Sequence, residues 1–234
     1  MKIALGIIAR PVESLLVLCL RPVVAQFDGL VMLTSRNPDW IDDVAGLVHA
    51  PRKFDLFNDY EWKNDYGAAR NVLIANAEKL GYDWLFMLDA DESMLPDDLI
   101  VMRKYMETEE SLIFPRFEFV DDFHHFCPSF YPDYQARAFR LNIGYHYTGA
   151  LHEQLRRDQD PPAYQMPYST RLPMCPIFHY AKSKPTMEVW LKYNTYDRIA
   201  AGLQPFSEVP PGTVPPPSWA LENKRVPFLG RKPL

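Results

Sequence analysis

The sequence predicts an α/β fold built on an open, mostly parallel sheet, and three observations carry that expectation. Short, continuous apolar runs alternate with helix-like segments, as strands buried on both faces require. Turn and cap residues fall between these runs. After Pro96 the pattern changes to apolar–polar alternation, which suits antiparallel strands with one wetter face. The 234 residues, 47% hydrophobic and 24% charged, are enough for one large domain with a substantial core.

Lys2 to Ala9 is an Ile-rich run of the buried-strand kind, and Pro11 suits the first turn of a helix over Val12 to Gln26. The opening "MKIALGIIARPVESLLVLCL" is split by Arg10, Pro11 and Glu13 into pieces too short for a signal peptide or a membrane span. Asp28-Gly29 is a turn, Leu30 to Leu33 a second buried strand, and "TSRNPDW" a loop at its carboxyl end. Asp65 caps a helix that presents Ala69, Val72, Leu73, Ala77 and Leu80 on one face and stops at Gly81. Trp84 to Leu88 is the next strand, which places Asp89 and Asp91 at a carboxyl strand end, where open α/β sheets bind ligands. Pro96, Asp97 and Asp98 read as the start of a helix.

The segments "SLIFPRFEFVDDF" and "YQARAFRLNIGYHYTG" read as antiparallel strands, with Asn142-Ile143-Gly144 as a hairpin turn. A late helix is expected in "SKPTMEVWLKYNTYDRIAAG", with Ser183 near its cap, Pro185 in its first turn, Met187, Trp190 and Leu191 on one face and Gly202 at its end. The domain is expected to cover residues 1–203, followed by a Pro-rich tail over 204–234.

The formal net charge is −5 and basic blocks are absent, so the footprint of tight non-specific nucleic-acid binding is missing. Cys19, Cys127 and Cys175 fit no zinc or disulfide spacing. The expectation is a reducing, cytoplasmic setting with buried thiols.

The chemistry concentrates in "DADE". Asp89, Asp91 and Glu92 crowd three acids against an apolar strand, and their repulsion and lost solvation need compensation. A hard divalent cation, Mn²⁺ or Mg²⁺, supplies it and could hold a diphosphate in turn. A solvated turn leading into a helix is the other reading. An EF-hand is excluded, because Met94 stands where that loop needs Gly.

The stretch "WKNDYGAARNVLIANAEKLGYDWLFMLDADE" resembles the core of family-2-type inverting glycosyltransferases of the GT-A fold, in which an Ala-Arg-Asn helix leads into an apolar strand ending in Asp-x-Asp-Glu. Two further stretches match in order: "YQARAFRLNIGYHYTGALHEQL" resembles a strand pair ending in His-Glu, and "PIFHYAKS" a later strand carrying a His. The likeness spans Lys2 to Gly202 and implies a single GT-A-like, Rossmann-like domain. It also implies transfer of a sugar from a nucleotide-diphosphate donor, UDP first, to an acceptor hydroxyl with inversion.

Residue by residue, the resemblance puts Asp89 near the donor ribose or the metal and Asp91 on a Mn²⁺ or Mg²⁺ bridging the diphosphate, with Ala90 between them against the donor. Arg70 falls near the donor phosphates. Glu153 is the candidate general base, since inversion needs one carboxylate to take the acceptor's proton. His179 is the first choice for a third metal ligand and His152 the second, or an orienter of the base. Glu92 is left to orient the loop.

Arg137, which shares a strand face with Gln135 and Phe139, would touch a diphosphate or an anionic acceptor, or point outward to solvent. Trp62, Tyr66, Tyr131 and Tyr145 are candidate stacking platforms or core residues. His124 and His125 read as a solvated loop.

Two departures from the family pattern stand out. Thr34 occupies the place of an Asp that reads the donor base, with only Asp39 matching the second acid, so Thr34, Arg36 and Asp39 leave the base open. "ARPVE" replaces the usual Lys-Asn-Glu, which makes Ala9 and Arg10 donor-site candidates. Acceptors in such a family include glycans, lipid-linked sugars, proteins and nucleic acids, and the loop Phe123 to Tyr134 is the expected docking place. Two other classes compete: a Mg²⁺-dependent phosphatase of the HAD type, whose Asp-x-Asp normally opens the fold, and a non-catalytic sugar-nucleotide or glycan-binding module.

Overall fold

The computed structural model describes residues 1–49, 52–183, 194–203, 226–227 and 229–230. In chain order come β1 (Ile3–Ile8), α1 (Leu16–Leu20), β2 (Gly29–Leu33), α2 (Ile41–Leu47), β3 (Lys53–Phe57), α3 (Tyr66–Lys79) and β4 (Trp84–Asp89). They are followed by β5 (Glu92–Ser93), α4 (Pro96–Tyr105), β6 (Ser111–Val120), β7 (His125–Phe126), β8 (Asp133–Arg140), β9 (Tyr145–Thr148) and β10 (Gln154–Arg157). Then come β11 (Ser169–Arg171), β12 (Ile177–Lys182), a helical turn over 194–200, and β13 (Val226–Pro227).

The main sheet runs β3-β2-β1-β4-β8-β6-β7-β13. β1 to β4 pair in parallel, β8 is antiparallel to both β4 and β6, and β11 and β12 run parallel to β6. The fold is therefore the expected α/β class, a mostly parallel sheet with a small antiparallel part. β1, β2, β3 and β4 all finish on one edge, and the acids of "DADE" stand on it.

Side chains of β4 alternate between two apolar layers. Trp84 and Phe86 face one, where Phe86 stacks on Phe27 at 5.6 Å and meets Phe114 edge-on at 5.4 Å. Leu85 and Met87 face the other, against Ala69, Leu73 and Ala77 of α3. Gly6 lets α3 approach β1, since a Cβ there would stand 2.8 Å from Leu85 and 2.9 Å from Leu73.

Several expectations need correction. The helix expected over Val12 to Gln26 is only the five residues of α1 and a 3-10 turn at Val24–Gln26. Pro22 accounts for the end of α1, because it lacks the N–H that would continue the helical ladder, while Arg21 before it keeps helical angles at φ −48° and ψ −45°. Neither α2 nor β3 was anticipated. Asn142 to Gly144 does turn the chain, with φ of 60° and 91° at its ends, yet it is no hairpin. β8 already has β4 on one edge and β6 on the other, so β9 pairs with β10 in a separate two-stranded sheet.

Of the late helix only 194–200 is described, and it ends at Gly202, whose φ is +70° and whose N–H reaches Ile199 O. Pro185, Met187, Trp190 and Leu191 lie outside the described residues, as do 204–225 of the tail. Val226–Pro227 pair with β7. All three cysteines are buried as thiols. Among the described residues no helix is long and apolar enough to cross a membrane.

The Asp65 carboxylate accepts the Ala68 N–H at 2.8 Å, as an N-cap should. Asp65→Ala is expected to cost about 1 kcal/mol. In thermal unfolding that corresponds to a melting temperature lower by roughly 2–4 °C.

Candidate active site

Helix α3 builds one wall of the site. Tyr66 N–H donates to Ala150 O at 2.9 Å, and Gly67 lies so close to the Gly149 carbonyl that an added Cβ would stand 2.4 Å from it. The Asn71 amide takes the Tyr147 N–H at 2.7 Å and donates to the Tyr147 carbonyl at 2.8 Å, joining β9 to the helix as a strand would. The segment after β9 is thus seated on the start of α3. Gly149 at φ +95° and His152 at φ +53° turn it so that Glu153 is mostly buried while His152 is exposed. Between them, Arg70 donates from Nε to Glu153 Oε1 at 2.5 Å and from Nη2 to Asp89 Oδ1 at 2.7 Å. The Ala-Arg-Asn motif therefore packs with Ala69, bridges two acids with Arg70 and fixes the next strand with Asn71.

Arginines stand opposite the other acids. Arg137, buried on the inner face of β8, donates from Nη2 to Asp89 Oδ2 at 3.0 Å and to Glu92 Oε1 at 2.7 Å. Arg116 on β6 reaches Glu92 Oε1 at 3.2 Å and Asp133 Oδ2 at 2.5 Å. Glu92 returns its second oxygen to the Asp89 N–H at 3.0 Å, which closes the turn. Burial would push the Asp89 carboxyl up, but Arg137 and Arg70 hold it well below the usual carboxylate range. Arg70, Arg116 and Arg137 are all raised by the acids they face, against the effect of burial.

Asp91 has a different neighbour. β12 runs antiparallel to β5, bringing His179 opposite Glu92, and Tyr180 N–H donates to Asp91 O at 2.9 Å. On its other edge β12 runs parallel to β6, with His179 in register with Glu118. The imidazole is held between them: Nδ1 is 2.8 Å from Glu118 Oε2, and Nε2 is 3.3 Å from Asp91 Oδ1. Lys182 Nζ lies 4.0 Å from the other Glu118 oxygen. Burial would lower the His179 pKa, yet Glu118 more than offsets it and the net direction is upward. Glu118 is held down at about 2, against burial, chiefly by His179.

These residues fit a divalent cation. With Nδ1–H given to Glu118, the Nε2 lone pair faces a carboxylate oxygen across 3.3 Å, and Nε2 is buried without a hydrogen-bond partner among the described residues. Such a contact calls for a proton or a cation. Potential ligand atoms of Asp89, Glu92 and His179 also lie within 4.8 Å of one another. In that trio both carboxylates accept from guanidinium groups, and Asp91 Oδ1, 3.3 Å from His179 Nε2, offers a further oxygen beside the imidazole. One oxygen and one imidazole nitrogen suit Mn²⁺ better than Mg²⁺.

The remaining predicted residues line the same edge. Ile8 is in register with Asp89 and with Leu33, so Ala9 and Arg10 lie one strand from Asp89, and Thr34 two strands away. Ala9 is buried and donates to Leu33 O at 3.0 Å, whereas exposed Arg10 pairs with Glu13 at 3.3 Å. Thr34 is buried under the turn after β3, its N–H on Phe57 O at 2.9 Å, and its hydroxyl has no hydrogen-bond partner among the described residues. Arg36 and Asp39 are exposed, and Ala90 is buried within the turn. His125 Nδ1 lies 2.8 Å from Asp122, Tyr131 stacks on Phe117 at 4.2 Å, and Tyr145 belongs to the core.

Glu118, Arg116 and Asp133 were not singled out in the sequence. The available signal was an acid set between Phe117 and Phe119 near the carboxyl end of a strongly apolar strand.

No protein-family model matches the chain. A TPR repeat-containing protein of Synechococcus elongatus is 34% identical over 113 residues, which is 48% of this chain. The chain spans only about a quarter of that curated relative, 26% of its length. Among solved structures, one of S. aureus TarS aligns with 82% of this chain and 38% of its own, at 12% identity and a TM-score of 0.48. A structure of TarS 1–349 in complex with UDP-GlcNAc aligns with 51% of this chain and 35% of its own, at 14% identity and a TM-score of 0.40. Likeness at this distance transfers neither a donor nor a reaction.

Arg137→Met would leave Asp89 and Glu92 short of a buried partner, an expected loss of about 3–5 kcal/mol in urea unfolding. The acid limb of stability has a definite sign as well. Because the Glu118 carboxyl is depressed from 4.5 to about 2, its contribution is present above about pH 4.5 and disappears as pH falls to about 2. In EDTA, unfolding followed by circular dichroism should weaken across that window, and less so in Glu118→Gln.

Proposed function

We propose that the chain is a metal-dependent glycosyltransferase that moves a sugar from a nucleotide-diphosphate donor, a UDP-sugar first, to an acceptor hydroxyl with inversion. The observation that carries this reading is the Asp91–His179 pair at the carboxyl edge of a parallel sheet, with its unpartnered imidazole nitrogen facing a carboxylate. The three sequence motifs support it, since their key residues Arg70, Asp89, Asp91, Glu153 and His179 converge on one place.

Asp91 and His179 would hold the ion, with Mn²⁺ favoured over Mg²⁺. When bound there it would supply Lewis-acid stabilisation of the departing nucleotide diphosphate. Glu153 accepts the acceptor's proton as the new C–O bond forms at the anomeric carbon and the bond to the diphosphate breaks on the opposite face. Arg70 fixes the base through Oε1 and ties it to Asp89 at the strand end, so base and donor acid move as one unit. Burial of the surrounding acids and arginines keeps the site preorganised. Phosphatase chemistry fits less well: its nucleophile would be Asp89, whose two oxygens both accept hydrogen bonds from guanidinium groups.

The test is release of nucleotide diphosphate from a panel of sugar nucleotides in Mn²⁺, Mg²⁺ and EDTA. Transfer or donor hydrolysis with Mn²⁺ and its loss in EDTA are expected; donor binding and turnover unaffected by EDTA would refute the metal reading. Glu153→Gln should lower transfer by roughly 10²–10⁴-fold while donor binding persists. Asp91→Asn should lose metal-dependent donor binding in a thermal-shift titration.

A further inference from the structure

We infer that Glu118 is a positioning residue for the metal: its hydrogen bond to Nδ1 of His179 orients the imidazole so that Nε2 is presented beside Asp91 as a ligand. The inference rests on the metal reading above and adds a residue that none of the three motifs contains. It is carried by geometry from two strands. Glu118 and His179 are register partners across the parallel β6–β12 pair, so the 2.8 Å contact is built into the sheet rather than into a flexible loop. Both side chains are buried, which restricts the imidazole to this setting.

A neutral imidazole donates from only one nitrogen while the other keeps a lone pair. An acid accepting from Nδ1–H fixes the proton there and leaves Nε2 as the donor atom, and it raises the basicity of that atom. The second Glu118 oxygen faces Lys182 at 4.0 Å, so the carboxylate is compensated on its far side and is not drawn toward the cation position. Tyr180 N–H, one residue on, fixes the Asp91 carbonyl and holds the opposite ligand in place. The segment Glu118, His179, Tyr180 and Lys182 thus acts as a frame for a two-ligand site. A Gln at 118 would offer an amide whose NH₂ can donate to Nδ1, favouring the wrong tautomer.

The test uses the full chain and Mn²⁺, alone and with UDP present, followed by loss of the free-ion electron paramagnetic resonance signal. Glu118→Gln should weaken binding by about 10–100-fold. Glu118→Gln combined with His179→Ala should bind no more weakly than His179→Ala alone, because Glu118 acts through the imidazole. In bound Mn²⁺, the electron spin-echo modulation from imidazole nitrogen should be present in the unaltered chain and diminished in Glu118→Gln. Glu118→Asp, which keeps an acceptor, serves as a second variant and should retain the nitrogen signal. Unchanged Mn²⁺ affinity in Glu118→Gln, or losses that add in the double variant, would overturn the inference while leaving the metal site intact. Absence of Mn²⁺ binding by the unaltered chain would overturn the metal reading and the role of Glu118 with it.

Discussion

Six carboxylates converge at one edge of the sheet, and their mutual repulsion in a largely dry setting is the constraint around which the structure is organised. Compensation runs as an alternating chain from Glu153 through Arg70, Asp89, Arg137, Glu92 and Arg116 to Asp133. Each arginine bridges two acids, so no single charge can leave without exposing its neighbours. Asp91 lies off this chain and faces an imidazole instead. That difference separates the two halves of "DADE": Asp89 and Glu92 are bridged by arginines, and Asp91 stands beside His179.

The scaffold also explains why the site's parts come from distant segments yet meet within hydrogen-bonding distance. α3 supplies Arg70 for the strand end and Asn71 for β9, and Gly67 allows the segment carrying Glu153 to settle on the helix start. β12 reaches the site by pairing simultaneously with β5 and β6, which places His179 between Asp91 and Glu118. Preorganisation of this kind costs nothing at the moment of reaction.

What the sequence revealed was local. Asp65 as a cap, the apolar strand ending at Asp89, and Pro96 opening a helix all depend on neighbours within a few positions, and the structure has each of them. What it hid was pairing. Whether Arg137 faced inward or outward could not be decided from alternation alone, because the acids it meets, Asp89 and Glu92, come from a distant segment of the chain. Glu118 looked like the polar phase of a half-exposed strand until β12 was laid beside it. The hairpin expected at Asn142 to Gly144 failed for the same reason: the edges of β8 were already taken by β4 and β6, which come earlier in the chain. Pro22, by contrast, was a local signal that the helix expected over Val12 to Gln26 ran through.

The central claim is that a divalent cation belongs between Asp91 and His179. Anomalous diffraction at the manganese edge from crystals grown with Mn²⁺ and UDP tests it most directly. The account predicts one peak within bonding distance of Asp91 Oδ1 and His179 Nε2, with Glu118 still on Nδ1. A peak held instead by Asp89 and Glu92 with their arginines displaced, or no peak at this edge of the sheet, would contradict it.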